Sequence, residues 1–215
     1  MIHAYDKIYL SDAKKLMAHM FDFAMFSNNI DPDLFAKLFT ESKYAKMIER
    51  GNPSVLSGKS GVEVGIDILE TYLPDSSINP VSFKLEKSAY YWAGWSLAHY
   101  QWYTAKRFSD IFKRIKLSEI LDMYFIYHEM DITNFIDDLN KKYDSVILPT
   151  NLKVIRENNG LSQSELSKKS GINIRSIQMF EQRVNDIDKC QCQTLYKLAL
   201  ALDCNIEDLL ERPEL

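Results

Sequence analysis

The C-terminal third of the chain contains the stretch LSQSELSKKSGINIRSIQMFEQRVN, which runs from Leu161 to Asn185. Ser162 and Glu165 have the S-x-x-E spacing of a capping box, in which a side chain and the backbone satisfy each other's unpaired donors. Gly171 can take the positive φ that a sharp turn requires, and Asn173 is a favourable helix N-cap. This stretch therefore predicts two short helices joined by a tight turn.

Three further helices are predicted around this pair. The first spans about Thr150 to Asn158 and ends at Asn159-Gly160. Another begins near Gln191, and the last is capped by Asn205. Each has apolar residues at helical spacing. The sequence therefore predicts a five-helix domain over residues 150–215.

Two helices joined by a glycine turn form a helix-turn-helix unit, whose second helix enters the major groove of DNA. About sixty residues from position 151 onward resemble the Cro and phage-repressor type of helix-turn-helix domain, also called the xenobiotic-response-element family. The matching residues are Leu161-Ser162-Gln163, Glu165-Leu166, Gly171, Ile177, Glu181, Leu195, Leu198-Ala199, Leu202 and Ile206-Glu207-Asp208-Leu209-Leu210. The resemblance implies a sequence-specific transcriptional regulator that binds a double-stranded operator.

The resemblance also implies roles for individual side chains. The predicted DNA-binding residues are Ser162, Gln163, Asn173, Ile174, Arg175, Ser176, Gln178, Met179, Gln182, Arg183 and Lys189. Arg175 is suited to a bidentate pair with guanine, worth about 1–3 kcal/mol of discrimination, and either Asn173 or Gln178 to adenine. The alternative for Arg175 is a solvated surface charge.

Other positions have supporting roles in the same resemblance. Gln163 matches a residue that contacts a phosphate and supports the second helix. Gln182, Arg183 and Lys189 follow that helix and suit phosphate contacts. Arg156 and Glu181 match a partly buried ion pair, so we interpret both as structural.

The first 149 residues have helical patterns throughout, and no segment alternates for long enough to require a sheet. We expect helices after Asp31-Pro32 and after Ser60, and a loop over residues 55–61. The uncharged segment SAYYWAGWSLAHYQWYTA, residues 88–105, lies in a helix predicted from about Leu85 to Thr104. It is apolar on nearly every face, which indicates a central helix of a bundle, although it could also line a ligand pocket. Its polar residues argue against a membrane span.

The sequence thus predicts an all-α protein with a helical N-terminal bundle, residues 1–149, followed by a repressor-like helix-turn-helix domain, residues 150–215. The net charge of −4 argues against a general polyanion binder but allows a specific one. Residues 151–197 carry eight lysines and arginines against five acidic residues, whereas the tail after them is acidic.

No constellation predicts an active site, a metal site or a cofactor, so we do not expect an enzyme. Gly58-Lys59-Ser60 resembles the end of a Walker loop, but the earlier glycine is missing because position 53 is proline. The cysteines, Cys190, Cys192 and Cys204, lack the second ligand pair of a zinc site. We expect packed free thiols in a reducing cytoplasm, since the N-terminus has no signal-peptide pattern.

The N-terminal region resembles bacterial antitoxins that carry a long all-helical extension. The matching motifs are the Asp31–Phe39 helix, Glu49-Arg50-Gly51-Asn52-Pro53, Gly58-Lys59-Ser60-Gly61-Val62-Glu63, Trp92 to Tyr103, and His128-Glu129. This resemblance implies a cognate toxin as partner and autoregulation of the operon. A homodimer is expected if the operator is pseudo-palindromic. The alternative is a regulator whose helical domain senses a small molecule.

Overall fold

The computed structural model describes residues 3–82 and 86–211, and all regular structure among them is helical. The prediction of an all-α protein is therefore confirmed. The chain divides into two compact units, Met1–Val146 and Ile147–Leu215. In the described part of the chain, no helix has the length and apolar character needed to cross a bilayer.

The N-terminal unit is a helical bundle with α1 (Leu10–Asp22) and α6 (Ala89–Thr104) at its centre. A 3-10 turn, Lys7–Tyr9, leads into α1, and a π-helical segment, Phe23–Ser27, continues α1 without a break. The helices are α1 (Leu10–Asp22), α2 (Pro32–Glu41), α3 (Lys43–Glu49), α4 (Pro53–Leu56), α5 (Gly61–Tyr72), α6 (Ala89–Thr104), α7 (Phe108–Arg114), α8 (Leu117–Asp122), α9 (Tyr124–Tyr127) and α10 (Ile132–Ser145).

Local capping signals set where several of these helices begin. The Asp31 carboxylate accepts a hydrogen bond from the Leu34 amide at 2.9 Å, with Pro32 as the first helical residue. Ser60 and Glu63 form a capping box at the start of α5. Ser88 caps α6 by accepting from the Tyr91 amide at 3.0 Å. These caps confirm the predicted helix starts at Asp31 and Ser60.

The predicted loop over residues 55–61 is confirmed for residues 57–60 but wrong at both ends, because α4 extends through Leu56 and α5 begins at Gly61. Asn52 and Pro53 repeat the N-cap and proline signal that starts α2, and the Asn52 side chain accepts from the Ser54 amide at 3.0 Å. The aromatic helix begins at Ala89 rather than near Leu85, which lies outside the described residues.

Helices α1 and α6 pack against each other at the centre of this unit. Their backbones approach closely at Gly94, where an added Cβ would lie 2.4 Å from the Met17 carbonyl oxygen. Phe21, Phe35 and Phe39 extend the core, with the ring centroids of Phe21 and Phe35 5.4 Å apart in an edge-to-face arrangement. The close contact at Gly94 buries one side of α6 and leaves the opposite side partly exposed.

The Gly58-Lys59-Ser60 segment has a structural role. Lys59 Nζ lies 2.8 Å from Asp67 Oδ2, and the Tyr44 hydroxyl donates to the same carboxylate. The hydrogen bonds from Lys59 and Tyr44 lower the pKa of Asp67. The Lys59 ammonium is therefore paired with a carboxylate of its own unit.

The C-terminal unit contains the five α-helices that the sequence predicts. They are α11 (Asn151–Asn158), α12 (Gln163–Ser170), α13 (Ile174–Glu181), α14 (Cys192–Leu202) and α15 (Ile206–Leu209). A 3-10 turn, Ile187–Lys189, was not predicted. The core of the unit is formed by Leu152, Leu166, Ile177, Leu198 and Leu209, which are almost completely buried.

Candidate nucleic-acid interface

Three local signals define the helix pair: one starts α12, one ends it and one starts α13. Ser162 Oγ accepts from the Glu165 amide at 3.2 Å, and Glu165 Oε2 accepts from the Ser162 amide at 2.8 Å. Gly171 ends α12 with a φ of +69°, in the left-handed region that favours glycine. Asn173 then caps α13 by accepting from the Arg175 amide at 2.8 Å.

One side of α13 is fixed by the core and the other faces solvent. Ile177 and Phe180 are buried in the same cluster as Leu166 and Leu198. Because α-helical side chains separated by three or four residues share a face, the opposite edge is presented outward. Asn173, Ile174 and Arg175 are exposed, and Ser176, Gln178 and Met179 are half-buried.

A buried ion pair anchors the C-terminal end of α13 to α11. Arg156 Nε lies 2.7 Å from Glu181 Oε1, and Arg156 Nη2 lies 2.9 Å from Glu181 Oε2. The side chains are only 8% and 3% exposed. Arg156 Nη1 also donates to the Leu161 carbonyl at 2.7 Å. All three nitrogen atoms of the guanidinium therefore donate hydrogen bonds within the unit, which is consistent with a structural role.

Gln163 joins the same network from the first turn of α12. Its Nε2 donates to Glu181 Oε2 at 2.8 Å, and its Oε1 accepts from Gln178 Nε2 at 3.4 Å. Burial raises the pKa of Glu181, but the hydrogen bonds from Arg156 and Gln163 and the charge of Arg156 outweigh it, so the pKa is lowered. Gln163 thus connects α12 to Gln178 and Glu181 in the last turn of α13.

The three predicted phosphate-contacting residues that follow α13 differ in their exposure and in their partners. Gln182 is exposed, and Lys189 Nζ lies 3.2 Å from Asp186 Oδ2 with most of its side chain in solvent. Arg183 donates from Nη1 to the Leu148 carbonyl at 2.6 Å and from Nη2 to Glu211 Oε2 at 2.8 Å. An exposed pair of this kind is worth only about 0–1 kcal/mol, so it leaves the predicted phosphate contact possible.

The sequence analysis missed the contacts that join the end of the C-terminal unit to its beginning and middle. Glu211 Oε1 accepts from the Asn151 amide at 2.7 Å, and the Glu211 amide donates to Asp188 Oδ1 at 2.8 Å. Glu211 therefore links the start of α11, the 3-10 turn and the Arg183 guanidinium. No local sequence pattern signals these contacts, because their partners lie 23 to 60 residues apart.

The three cysteines are free thiols in the structure. Burial raises the pKa of Cys190 and of Cys204, which disfavours their thiolates. Among residues 3–82 and 86–211, no group of three or more histidine, cysteine or acidic side chains has an arrangement that suits a metal ion.

Residues 151–214 match a family model described as the Cro/C1-type HTH DNA-binding domain. The C-terminal unit is thus a Cro/C1-type helix-turn-helix domain, which confirms the resemblance inferred from its motifs. A domain of this class supports a DNA-binding transcriptional regulator. The comparisons with curated proteins and with solved structures found no match.

Replacing Ser162 with alanine is expected to lower the free energy of unfolding of the C-terminal unit by about 1 kcal/mol, because the Glu165 amide loses its acceptor. Urea unfolding followed by circular dichroism measures the change. Ser164→Ala is the matched control, since Ser164 is exposed within α12 and should alter stability by less than about 0.5 kcal/mol. Equal unfolding midpoints for both variants would contradict the capping role.

Proposed function

We propose that the protein is a transcriptional regulator that binds a pseudo-palindromic operator as a homodimer, with α13 in the major groove. The observation that carries this proposal is the orientation of α13. Its Ile177 and Phe180 side is buried, its last residue, Glu181, is held by Arg156, and its Asn173–Arg175 edge is exposed. A rigid helix with a free polar edge is what direct readout of bases requires.

The exposed edge offers several kinds of base contact. Arg175 has the donor fork for guanine, and Asn173 or Gln178 suits adenine, while Ile174 can contact a thymine methyl group. Ser176 and Met179 lie on the same helix and complete the proposed reading surface. The proposed phosphate contacts are Ser162, Gln163, Gln182, Arg183 and Lys189.

The operator can be tested with the full chain and a duplex taken from upstream of its own gene. We expect a footprint over two half-sites whose centres are about 10 base pairs, one helical turn, apart. The logarithm of the binding constant should fall linearly with the logarithm of the salt concentration, because phosphate contacts release counterions. Equal affinity for the promoter fragment and for random duplex would refute the proposal.

We further propose that the N-terminal unit neutralises a toxin encoded beside this gene, so that the protein acts as an antitoxin that autoregulates its operon. The motif pattern of residues 31–129 supports this role. The test is co-expression of the full chain with the neighbouring gene product. Copurification and relief of toxicity are expected, whereas a neighbour that is harmless and does not bind would contradict the antitoxin role.

A second candidate is a regulator that senses a small molecule through this unit. A cavity of about 280 Å³ lined by aromatic side chains of α6 and α9 favours it. A ligand that raises the melting temperature of the chain and changes its operator affinity would support this candidate.

A further inference from the structure

An aromatic surface lies where α9 meets the partly exposed side of α6. The ring centroids of Trp92 and Tyr124 are 5.7 Å apart, and Tyr124 stacks on His128 at 4.5 Å. The ring centroids of Phe125 and Tyr124 are also 5.7 Å apart. The open cavity of about 280 Å³ at this position, called here the aromatic groove, is lined by Lys87, Tyr91, Trp92, Trp95, Tyr124 and His128.

Three large apolar side chains in or just after α9 lie largely in solvent. Phe125 is 82% exposed, Ile126 is 62% exposed and Met130 is 52% exposed. Single exposed apolar residues are ordinary, but contiguous apolar surface on a folded protein marks an interaction site. Aromatic residues and methionine are also the types enriched at protein interfaces. Because their side chains lie largely in solvent, these three residues contribute little to the core.

Two lysines give the groove a basic edge. Lys87 Nζ lies 4.8 Å from the centre of the Tyr91 ring, and Lys14 Nζ lies 4.3 Å from the centre of the Trp95 ring. Neither ammonium forms an ion pair with a carboxylate in the described part of the chain. Burial lowers the pKa of Lys14, as expected for a cation that lacks an anionic partner.

An acidic occupant would supply the missing countercharges. Within the described residues, the groove lining contains no carboxylate. Glu129 lies nearby, with Oε1 3.7 Å from His128 Nε2, and its side chain is 86% exposed. An aromatic floor with unpaired cations at its edge is therefore complementary to an apolar side chain flanked by carboxylates.

We propose that this surface docks an acidic segment of a partner protein, which inserts one aromatic or large aliphatic side chain into the aromatic groove and pairs its carboxylates with Lys87 and Lys14. The inference rests on the proposed binding of a partner by the N-terminal unit and adds the surface and the chemistry of that partner. A buried aromatic anchor of this kind is a common hot spot of protein interfaces.

The extent of the surface favours a protein over a small ligand. The groove has a volume at the lower end of small-molecule sites, which hold roughly 300–1,000 Å³. A ligand confined to the groove would leave Phe125, Ile126 and Met130 in solvent. A polypeptide segment can cover the groove together with the adjoining Phe125 ring.

The test uses the full chain and two synthetic peptides, observed through tryptophan fluorescence and calorimetry. One peptide has a central phenylalanine flanked by aspartate and glutamate, and the other has lysine at each acidic position. We expect the acidic peptide to bind at least about 10-fold more tightly, and Lys87→Glu and Phe125→Ser each to weaken it about 10-fold, the effect of losing roughly 1.4 kcal/mol. Both replaced side chains are exposed, so the variants should fold.

Matched controls carry the same chemical changes elsewhere. Lys113→Glu reverses an exposed charge on α7, and Val184→Ser removes an exposed apolar side chain in the C-terminal unit. Both should leave peptide affinity within about 2-fold, since distant sites act independently. Equal affinity for the two peptides, or unchanged binding by Phe125→Ser, would overturn the proposal. Binding of indole-3-acetate without binding of the acidic peptide would also overturn it and would identify a small-molecule site.

Binding assays with the neighbouring gene product distinguish a failure of this inference from a failure of the proposed function. If that product binds the wild-type chain and binds the Lys87→Glu and Phe125→Ser variants equally well, the docking surface is wrong while the antitoxin role stands. If it does not bind at all while the acidic peptide binds as expected, the antitoxin role fails and the docking surface stands.

Discussion

Replacing Glu181 with alanine is expected to lower the free energy of unfolding of the C-terminal unit by about 3–5 kcal/mol. Glu181 accepts two hydrogen bonds from Arg156 and one from Gln163, and both members of the ion pair are buried. The alanine variant would leave the guanidinium of Arg156 buried without its counter-ion. Losing one partner of a buried pair costs more than the pair itself contributes, because the remaining charge stays desolvated.

Chemical denaturation of the full chain, with a probe in each unit, measures this effect. The control is Lys153→Ala, because Lys153 and Glu157 form an exposed pair at 4.0 Å that is worth about 0–1 kcal/mol. A double variant, Arg156→Met with Glu181→Leu, should regain much of the lost stability since it buries no unpaired charge. A Glu181→Ala variant within about 1 kcal/mol of the wild type would contradict the anchoring role.

The same pair predicts a dependence of stability on pH. The pKa of Glu181 is lower in the folded state than in the unfolded chain, where it is about 4.3. The unfolded state therefore binds more protons in this range, and the stabilisation is present above about pH 4.3 and is lost as the pH falls through the folded pKa. Glu181→Gln should flatten this part of the stability curve, measured by unfolding at a series of acidic pH values.

The helix-turn-helix unit could be predicted from sequence because its signals are local. Ser162 and Glu165 satisfy each other's backbone donors within one helical turn, and Asn173 caps the next helix through a residue two positions away. Such contacts are nearly independent of the rest of the fold. The error at residues 55 and 56 has a local cause as well, because Asn52 and Pro53 start α4 in the same way that Asp31 and Pro32 start α2.

Other features depend on distant residues and could not be predicted from sequence. The exposed side of α6 exists because Gly94 brings α1 against one face, and the sequence of α6 is apolar all round. The contact of Arg183 with Leu148 and Glu211 joins residues 28 and 35 positions apart. The family resemblance implies a phosphate contact for Arg183, whereas the tertiary structure gives this side chain partners within the unit.

The buried side of α13 and its proposed reading side lie opposite each other on a helix only eight residues long. Ile177, Phe180 and Glu181 hold the helix, and Asn173, Ile174 and Arg175 project from it. A substitution of Arg175, which is not the N-cap, should therefore alter the proposed recognition with little effect on stability. This separation makes a clean test of base readout possible.

Replacing Arg175 with alanine is expected to weaken binding to the native operator by about 1–3 kcal/mol, roughly 5- to 150-fold, while binding to random duplex changes far less. Arg175 is exposed, and its side chain forms no hydrogen bond or ion pair with the residues that the structure describes, so the variant should unfold like the wild type. Arg175→Lys should keep the charge but lose the donor fork, and so should lose discrimination at one base position. Lys168→Ala on α12 is the charge-matched control, since any loss there should be equal for both duplexes. Fluorescence anisotropy at fixed salt measures the affinity of each protein for both duplexes, and unchanged binding of Arg175→Ala to the operator would show that this side chain is a solvated surface charge.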